Sequence, residues 1–218
     1  DLATSKIFKL KKRPKNNPLI VHYYSLENLK KDCKINQNFI KLYKKFCPGP
    51  ITFILKLKSK NKISKNVTNK KKTLAVRFPK HSLTRKLLKE LDFPLAAPSA
   101  NISTKVSAVS KKDVEEEFGN KIKFILDGGS SKIGLESTIV NLDPKPAILR
   151  LGAIEVSKIN KVLKNKVNYK SKNNKNSVPG QGKLHYSPGI QIRRNVKNPK
   201  KHEAFLLIKK RKISDKNF

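Results

Sequence analysis

The sequence predicts an α/β domain whose sheet mixes parallel and antiparallel strands. Apolar runs of strand length recur from residue 19 to residue 152, and amphipathic helical segments fall among them without strict alternation. A chain of 218 residues that is 37% hydrophobic fits one domain of ordinary size with a short appendage.

Residues 3–12 place Ile7, Phe8 and Leu10 on one side, as the last turns of a helix, and Pro14 biases Arg13 away from helical geometry. LIVHYY (19–24) reads as a strand, and two helical stretches follow at 25–31 and 37–46. The second runs into Cys47-Pro48-Gly49-Pro50, a rigid turn. ITFILKLK (51–58) and TLAVRFP (73–79) read as strands joined by a solvated hairpin loop over 59–72. A helix is expected over 82–91, then a short strand, LAAPSA (95–100), entering a turn. The helix over 110–118 has Ser110 placed to cap it, Asp113 three residues on and Gly119 to end it. KFILDGG (123–129), STIVNLD (137–143) and AILRLG (147–152) are three more expected strands, and 155–164 a closing helix. The lysine- and asparagine-rich segment 166–189 reads as a linker. AFLLIKK (204–210) reads as a lone strand, the first piece of a second domain over 190–218.

Fifty-one basic against 15 acidic residues give a net charge of +36, which suits a polyanionic partner such as RNA or a phosphorylated substrate. Only seven of the basic residues are arginine, leaving 44 lysines, and asparagine is abundant as well. AT-rich codon usage produces the same skew, so the charge alone does not establish a nucleic-acid partner. Cys33 and Cys47 are too few for a disulfide framework or a zinc site, and reduced thiols in the cytoplasm are expected. No apolar stretch approaches the ~20 residues needed to cross a bilayer, so no membrane association is expected. The chain opens with Asp1 and reads as a fragment.

The sequence lacks a P-loop, a GxGxxG after a strand, a GxSxG elbow and an HExxH. Chemistry here should therefore rest on positioning and electrostatics. The candidates lie at turns and strand ends. Residues 11–22 bring Arg13, Asn17 and His22 into one turn region, where a guanidinium fork suits phosphate or carboxylate; a plain lysine-rich loop gives the same spacing. Arg77 and Arg150 sit on apolar strands, where an unpaired charge is costly, and the scarcity of acids points to ligands as their partners. Ala96-Ala97-Pro98-Ser99-Ala100-Asn101 is a small-residue run that lets backbone approach a ligand, or an ordinary turn. Glu136-Ser137-Thr138 opens a strand, either as a site or as a strand start.

Taken in order, KxRPxxNPLxVH (11–22), FxPGPxT (46–52), TxAVRxPxH (73–81), PLAAPSAN (94–101), LDGG (126–129), ESTIV (136–140) and ILRxGAI (148–154) resemble the YrdC-like threonylcarbamoyl-AMP synthases. Leu184-His185-Tyr186-Ser187-Pro188 resembles the linker of the family's two-domain branch. The resemblance implies a twisted mixed sheet with flanking helices and a concave basic face. It implies a catalytic domain over 1–165 and a nucleotidyltransferase reaction, in which L-threonine, bicarbonate and ATP give threonylcarbamoyl-AMP and pyrophosphate. By position, Lys11 and Arg13 would be catalytic and meet the phosphates. Arg13, Asn17, Thr73, Ser99, Asn101, Arg150 and Tyr186 would hold the nucleotide. His22, Arg77 and Ser137 would hold threonine, with Arg77 on its carboxylate. Mg2+ would arrive with ATP, and no protein metal site is implied. A tRNA or double-stranded RNA and a downstream threonylcarbamoyl transferase are the implied partners, in the cytoplasm.

The family's TETVYGL-type strand, which carries a threonine-contacting hydroxyl, has no counterpart after Asp1 and is expected upstream of it. Cys47 stands where the family commonly has an aromatic residue. An RNA-binding module of the same fold without turnover is the alternative. A carbamoyltransferase on this fold is disfavoured by the HYSP linker.

Overall fold

The computed structural model describes residues 1–169, 191–204 and 206, which fall in two compact units, 1–187 and 188–218. The first contains a seven-stranded mixed sheet in the order β4-β1-β3-β2-β5-β6-β7. Its strands are β1 (Ile20–His22), β2 (Ile51–Lys56), β3 (Thr73–Arg77), β4 (Leu95–Ala96), β5 (Thr138–Asn141), β6 (Ala147–Arg150) and β7 (Asn168–Tyr169). The pairs β1–β3, β2–β5 and β6–β7 are parallel, and β1–β4, β2–β3 and β5–β6 antiparallel. The expected mixed α/β sheet is what forms.

The helices are α1 (Leu2–Leu10), α2 (Leu26–Asp32), α3 (Gln37–Phe46), α4 (Lys65–Thr68), α5 (Ser82–Glu90), α6 (Lys111–Phe118) and α7 (Val156–Leu163). Local chemistry sets their ends. Ser25 and Asn36 accept from the backbone N–H groups of Asn28 and Phe39 at the starts of α2 and α3. Ser110 and Asp113 form the expected reciprocal capping box of α6, and Gly119 closes it at φ +51°. Phe8, Leu29, Phe39, Leu42, Ile159 and Leu163 from the helices pack with Val21, Phe53, Val76, Val140 and Ile148 from the strands to form the main core. Phe39 meets Phe53 edge-on at 4.9 Å between ring centroids.

Three expectations differ from the structure. The loop 59–72 contains α4, begun by Ser64, whose hydroxyl accepts from Asn66 N–H at 3.2 Å. KFILDGG forms no strand; Phe124 is 88% exposed and Leu126 59%. An extended apolar run becomes a strand only beside a partner ladder, and the sheet ends on the two-residue strands β4 and β7, with none for this segment. The sheet also reaches Asn168–Tyr169, inside the stretch expected as linker. Residues 170–190, with the HYSP motif and Tyr186, lie outside the described residues, as does most of AFLLIKK. In the second unit, Arg193 pairs with Glu203. Among the described residues no helix is long and apolar enough to cross a membrane.

Candidate functional site

Strand register lines up Leu95, His22, Arg77, Thr52, Ile139 and Arg150 in one row across β4, β1, β3, β2, β5 and β6. Residues directly opposite one another in a sheet share a face, and alternate residues along a strand change face. The face opposite the main core therefore carries His22 and Arg77 beside a small apolar cluster of Ile20, Ile54, Ala75 and Ile139. Arg150 reaches it through a bulge. Ile139 pairs with Arg150 and Val140 with Ile148, so Leu149 is the extra residue. Leu149 packs on the small cluster, and Arg150 lines the cavity above it. Re-aiming a side chain is what a bulge does.

This face and the start of α5 enclose a cavity of about 350 Å3, walled by Arg13, His22, Arg77, His81, Ser99, Glu136 and Arg150, with apolar surface from Ile20, Leu88 and Leu95. Arg13 arrives from the turn after α1. Its Nε donates to Asn17 O at 3.0 Å, and its Nη2 to Asn17 Oδ1 at 2.7 Å and Pro18 O at 2.8 Å. Arg150 donates from Nε and Nη2 to Ser137 O at 3.1 and 2.9 Å, and from Nη2 to Ser137 Oγ at 3.0 Å. Ser137 Oγ in turn meets Thr52 Oγ1 at 2.7 Å. Gly152 makes this approach possible, because a Cβ there would stand 2.4 Å from Glu136 O. Lys11 Nζ donates to Ser99 O at 2.6 Å and to Asn101 O, latching the 98–105 loop to the end of α1.

The electrostatics are lopsided. Three guanidinium groups face one carboxylate, Glu136, among the described wall residues. Burial, with Arg150 adding to it, holds Arg77 below the ordinary guanidinium range, while Glu136 acts the other way. Arg77 Nε is enclosed with no hydrogen-bond partner. His22 is pushed down to about 4 by burial and by Arg77 beside it, so its ring is neutral at physiological pH, with an unpartnered Nδ1. Lys11 is lowered to about 8 by burial and by Arg13. Buried donors without partners, set on a concave wall, are complementary to an anion that brings its own acceptors.

Five of the expected residues, Arg13, His22, Arg77, Ser99 and Arg150, line this one cavity. Lys11, Asn17, Asn101 and Ser137 stand directly behind it, bonded to wall residues or to the loop that carries Ser99. Ser137, 1% exposed, sits under Arg150 rather than at the wall. Thr73 is not brought in. It opens β3 four residues before Arg77, about 13 Å away along the strand. The sequence reading gives Glu136 no role beyond its place in the candidate run Glu136-Ser137-Thr138 and none to His81 or Thr52, although Glu136 is one of few acids and His81 lies inside TxAVRxPxH. Among the described residues no cluster of three His, Cys, Asp or Glu could hold a metal ion.

A family model described as "Telomere recombination" (Sua5/YciO/YrdC) matches residues 1–152. Threonylcarbamoyl-AMP synthases of Pyrococcus abyssi and Schizosaccharomyces pombe are each 37% identical over 87% of the chain, which spans 57% and 54% of their lengths. The Bacillus subtilis enzyme is 37% identical over 85% of the chain and 55% of its own length. The chain thus spans little more than half of these curated relatives. A crystal structure of P. abyssi Sua5 complexed with L-threonine superposes with a TM-score of 0.80 at 38% identity, over 86% of this chain and 56% of that one. Escherichia coli YciO shares the fold, with a TM-score of 0.61 at 19% identity over 73% of this chain and 77% of its own. The chain belongs to the Sua5/YciO/YrdC family.

Proposed function

We propose that the cavity binds L-threonine and ATP and forms threonylcarbamoyl-AMP and pyrophosphate, with bicarbonate supplying the carbamoyl carbon. The observation that carries the reading is Arg77, whose enclosed guanidinium Nε lacks a partner on a wall shared with two further arginines. Its planar fork suits an α-carboxylate, with neutral His22 beside it on β1. Arg13, fixed by Asn17, and Arg150, fixed by Ser137, suit phosphate oxygens, and the Ser99 loop latched by Lys11 gives the nucleotide a wall. Attack of the threonine carbamate on the α-phosphorus expels pyrophosphate. That step calls for cations and orientation rather than a protein nucleophile.

The donor set, three guanidiniums against one carboxylate, suits the phosphates rather than a metal. Mg2+ is accordingly proposed only as the companion of ATP, held by phosphate oxygens. The product is an activated acyl adenylate, which a threonylcarbamoyl transferase acting on tRNA would consume. Such a step belongs in the cytoplasm, and the basic surface suits tRNA or double-stranded RNA nearby.

The test is pyrophosphate release with each substrate omitted in turn. Release that requires threonine, bicarbonate and ATP together supports the reading. Salt-sensitive tRNA binding with no pyrophosphate under any condition replaces it with an RNA-binding module.

A further inference from the structure

The cavity holds one negative group that the reaction as written leaves idle. Glu136 is the single carboxylate among the described wall residues, in a chain with only 15 acids. Its one ion pair with an arginine among the described residues is long. Its Oε2 lies 3.9 Å from Arg150 Nη2, beyond hydrogen-bond reach, while Arg150 is satisfied by Ser137. Oε1 is held by Ser107 Oγ at 2.7 Å, which fixes the plane of the carboxylate. The backbone is fixed too, since Ala153 N–H donates to Glu136 O at 3.0 Å where Gly152 lets the two strands close. Glu136 is thus oriented and partly solvent-accessible, with Oε2 held only by a long ion pair to Arg150.

Resting on the functional reading above, we infer that Glu136 is the receptor for the α-amino group of the amino-acid substrate. Arg77 and Glu136 line the same cavity, where the carboxylate acts on the guanidinium through space. Two opposite charges kept apart on one wall are complementary to a zwitterion, whose carboxylate goes to Arg77 and whose ammonium goes to Glu136 Oε2. Arg77 Nε and Glu136 Oε2 then both gain a close partner only when the ligand carries both groups. This makes the cavity selective for α-amino acids over hydroxy acids and other small carboxylates, a discrimination the arginines alone cannot supply. It also places the nitrogen that must become the carbamate at a defined point on the wall, on the side of Arg150.

The experiment is calorimetric titration of the protein and its Glu136→Gln variant with L-threonine and with 3-hydroxybutanoate, which keeps the carboxylate and methyl carbinol but lacks the amine. The amide oxygen of glutamine can still accept from Ser107, so the shape of the wall is retained. Wild-type protein should bind threonine at least tenfold more tightly than 3-hydroxybutanoate. Glu136→Gln should weaken threonine about tenfold and leave 3-hydroxybutanoate within twofold, and Glu136→Asp should recover part of the loss. Equal weakening of both ligands would mean that Glu136 only positions the arginines and would overturn the inference. So would threonine binding that Glu136→Gln leaves unchanged. Wild-type protein that binds neither ligand overturns the functional reading and this inference together.

Discussion

The two faces of the sheet are made from alternate residues of the same strands, yet they are built to opposite rules. On one face Val21, Phe53, Val76, Val140 and Ile148 lie under helices α1, α2, α3 and α7, and every one of them is at most 2% exposed. On the other, Ile20, Ile54, Ala75 and Ile139 form a small apolar floor from which His22, Arg77 and Arg150 rise, the first two with a buried nitrogen that has no hydrogen-bond partner. The covered face supplies the apolar burial that holds the domain together. The stability it supplies lets the open face carry desolvated cations that would otherwise count against folding.

If that division is right, damage to the two faces should separate cleanly. Phe53→Ala, on the covered face, should cost about 3–5 kcal/mol of unfolding free energy, read from urea denaturation. Arg77→Lys, on the open face, should leave the urea midpoint nearly unchanged and lower threonine-dependent pyrophosphate release about 100-fold, because lysine lacks the bidentate fork. Equal release by the two proteins would remove Arg77 from the site. His22 is protonated below about 6.5 when unfolded but only below about 4 when folded, so its contribution is present at neutral pH and lost on acidification. Between pH 7 and pH 5 wild-type stability should drop by roughly 2 kcal/mol more than that of His22→Phe, which cannot titrate. Lys11 loses its charge as pH rises through about 8. ATP affinity should therefore fall about threefold from pH 7 to pH 9, and Lys11→Arg should flatten that profile. Smallest of all, Lys158→Ala removes an exposed ion pair with Glu155 and should move neither stability nor activity measurably.

Strand content, the α6 capping box and the arginines of the open face are legible in the sequence because each is a local signal: a period of two, a Ser-x-x-Asp, a cation in an apolar run. The convergence of Arg13, Ser99 and Arg150 rests on ordered motifs rather than on periodicity, since no local rule sets the register between β1, β3 and β2. KFILDGG shows the limit from the other side. Its apolar run Phe124-Ile125-Leu126 matches the Phe53-Ile54-Leu55 of β2, and what decides between strand and coil is a neighbour that the segment does not encode. The neutral state of His22 was equally out of sight, because it depends on burial under distant segments and then on Arg77 lying opposite on an adjacent strand. Glu136 lacked a role for the same reason, since its value comes from where three distant arginines stand.

The bulge at Leu149 ties Arg150 to a count of residues rather than to their kind. Removing that single leucine would place Arg150 directly after Ile148 and leave it opposite Ile139 on the open face, whereas straightening the strand with Leu149 still in it would turn the guanidinium to the face of Ile148, into oil instead of water. Conservative exchanges at 149 should be tolerated, and a one-codon deletion there should be milder than losing the arginine itself.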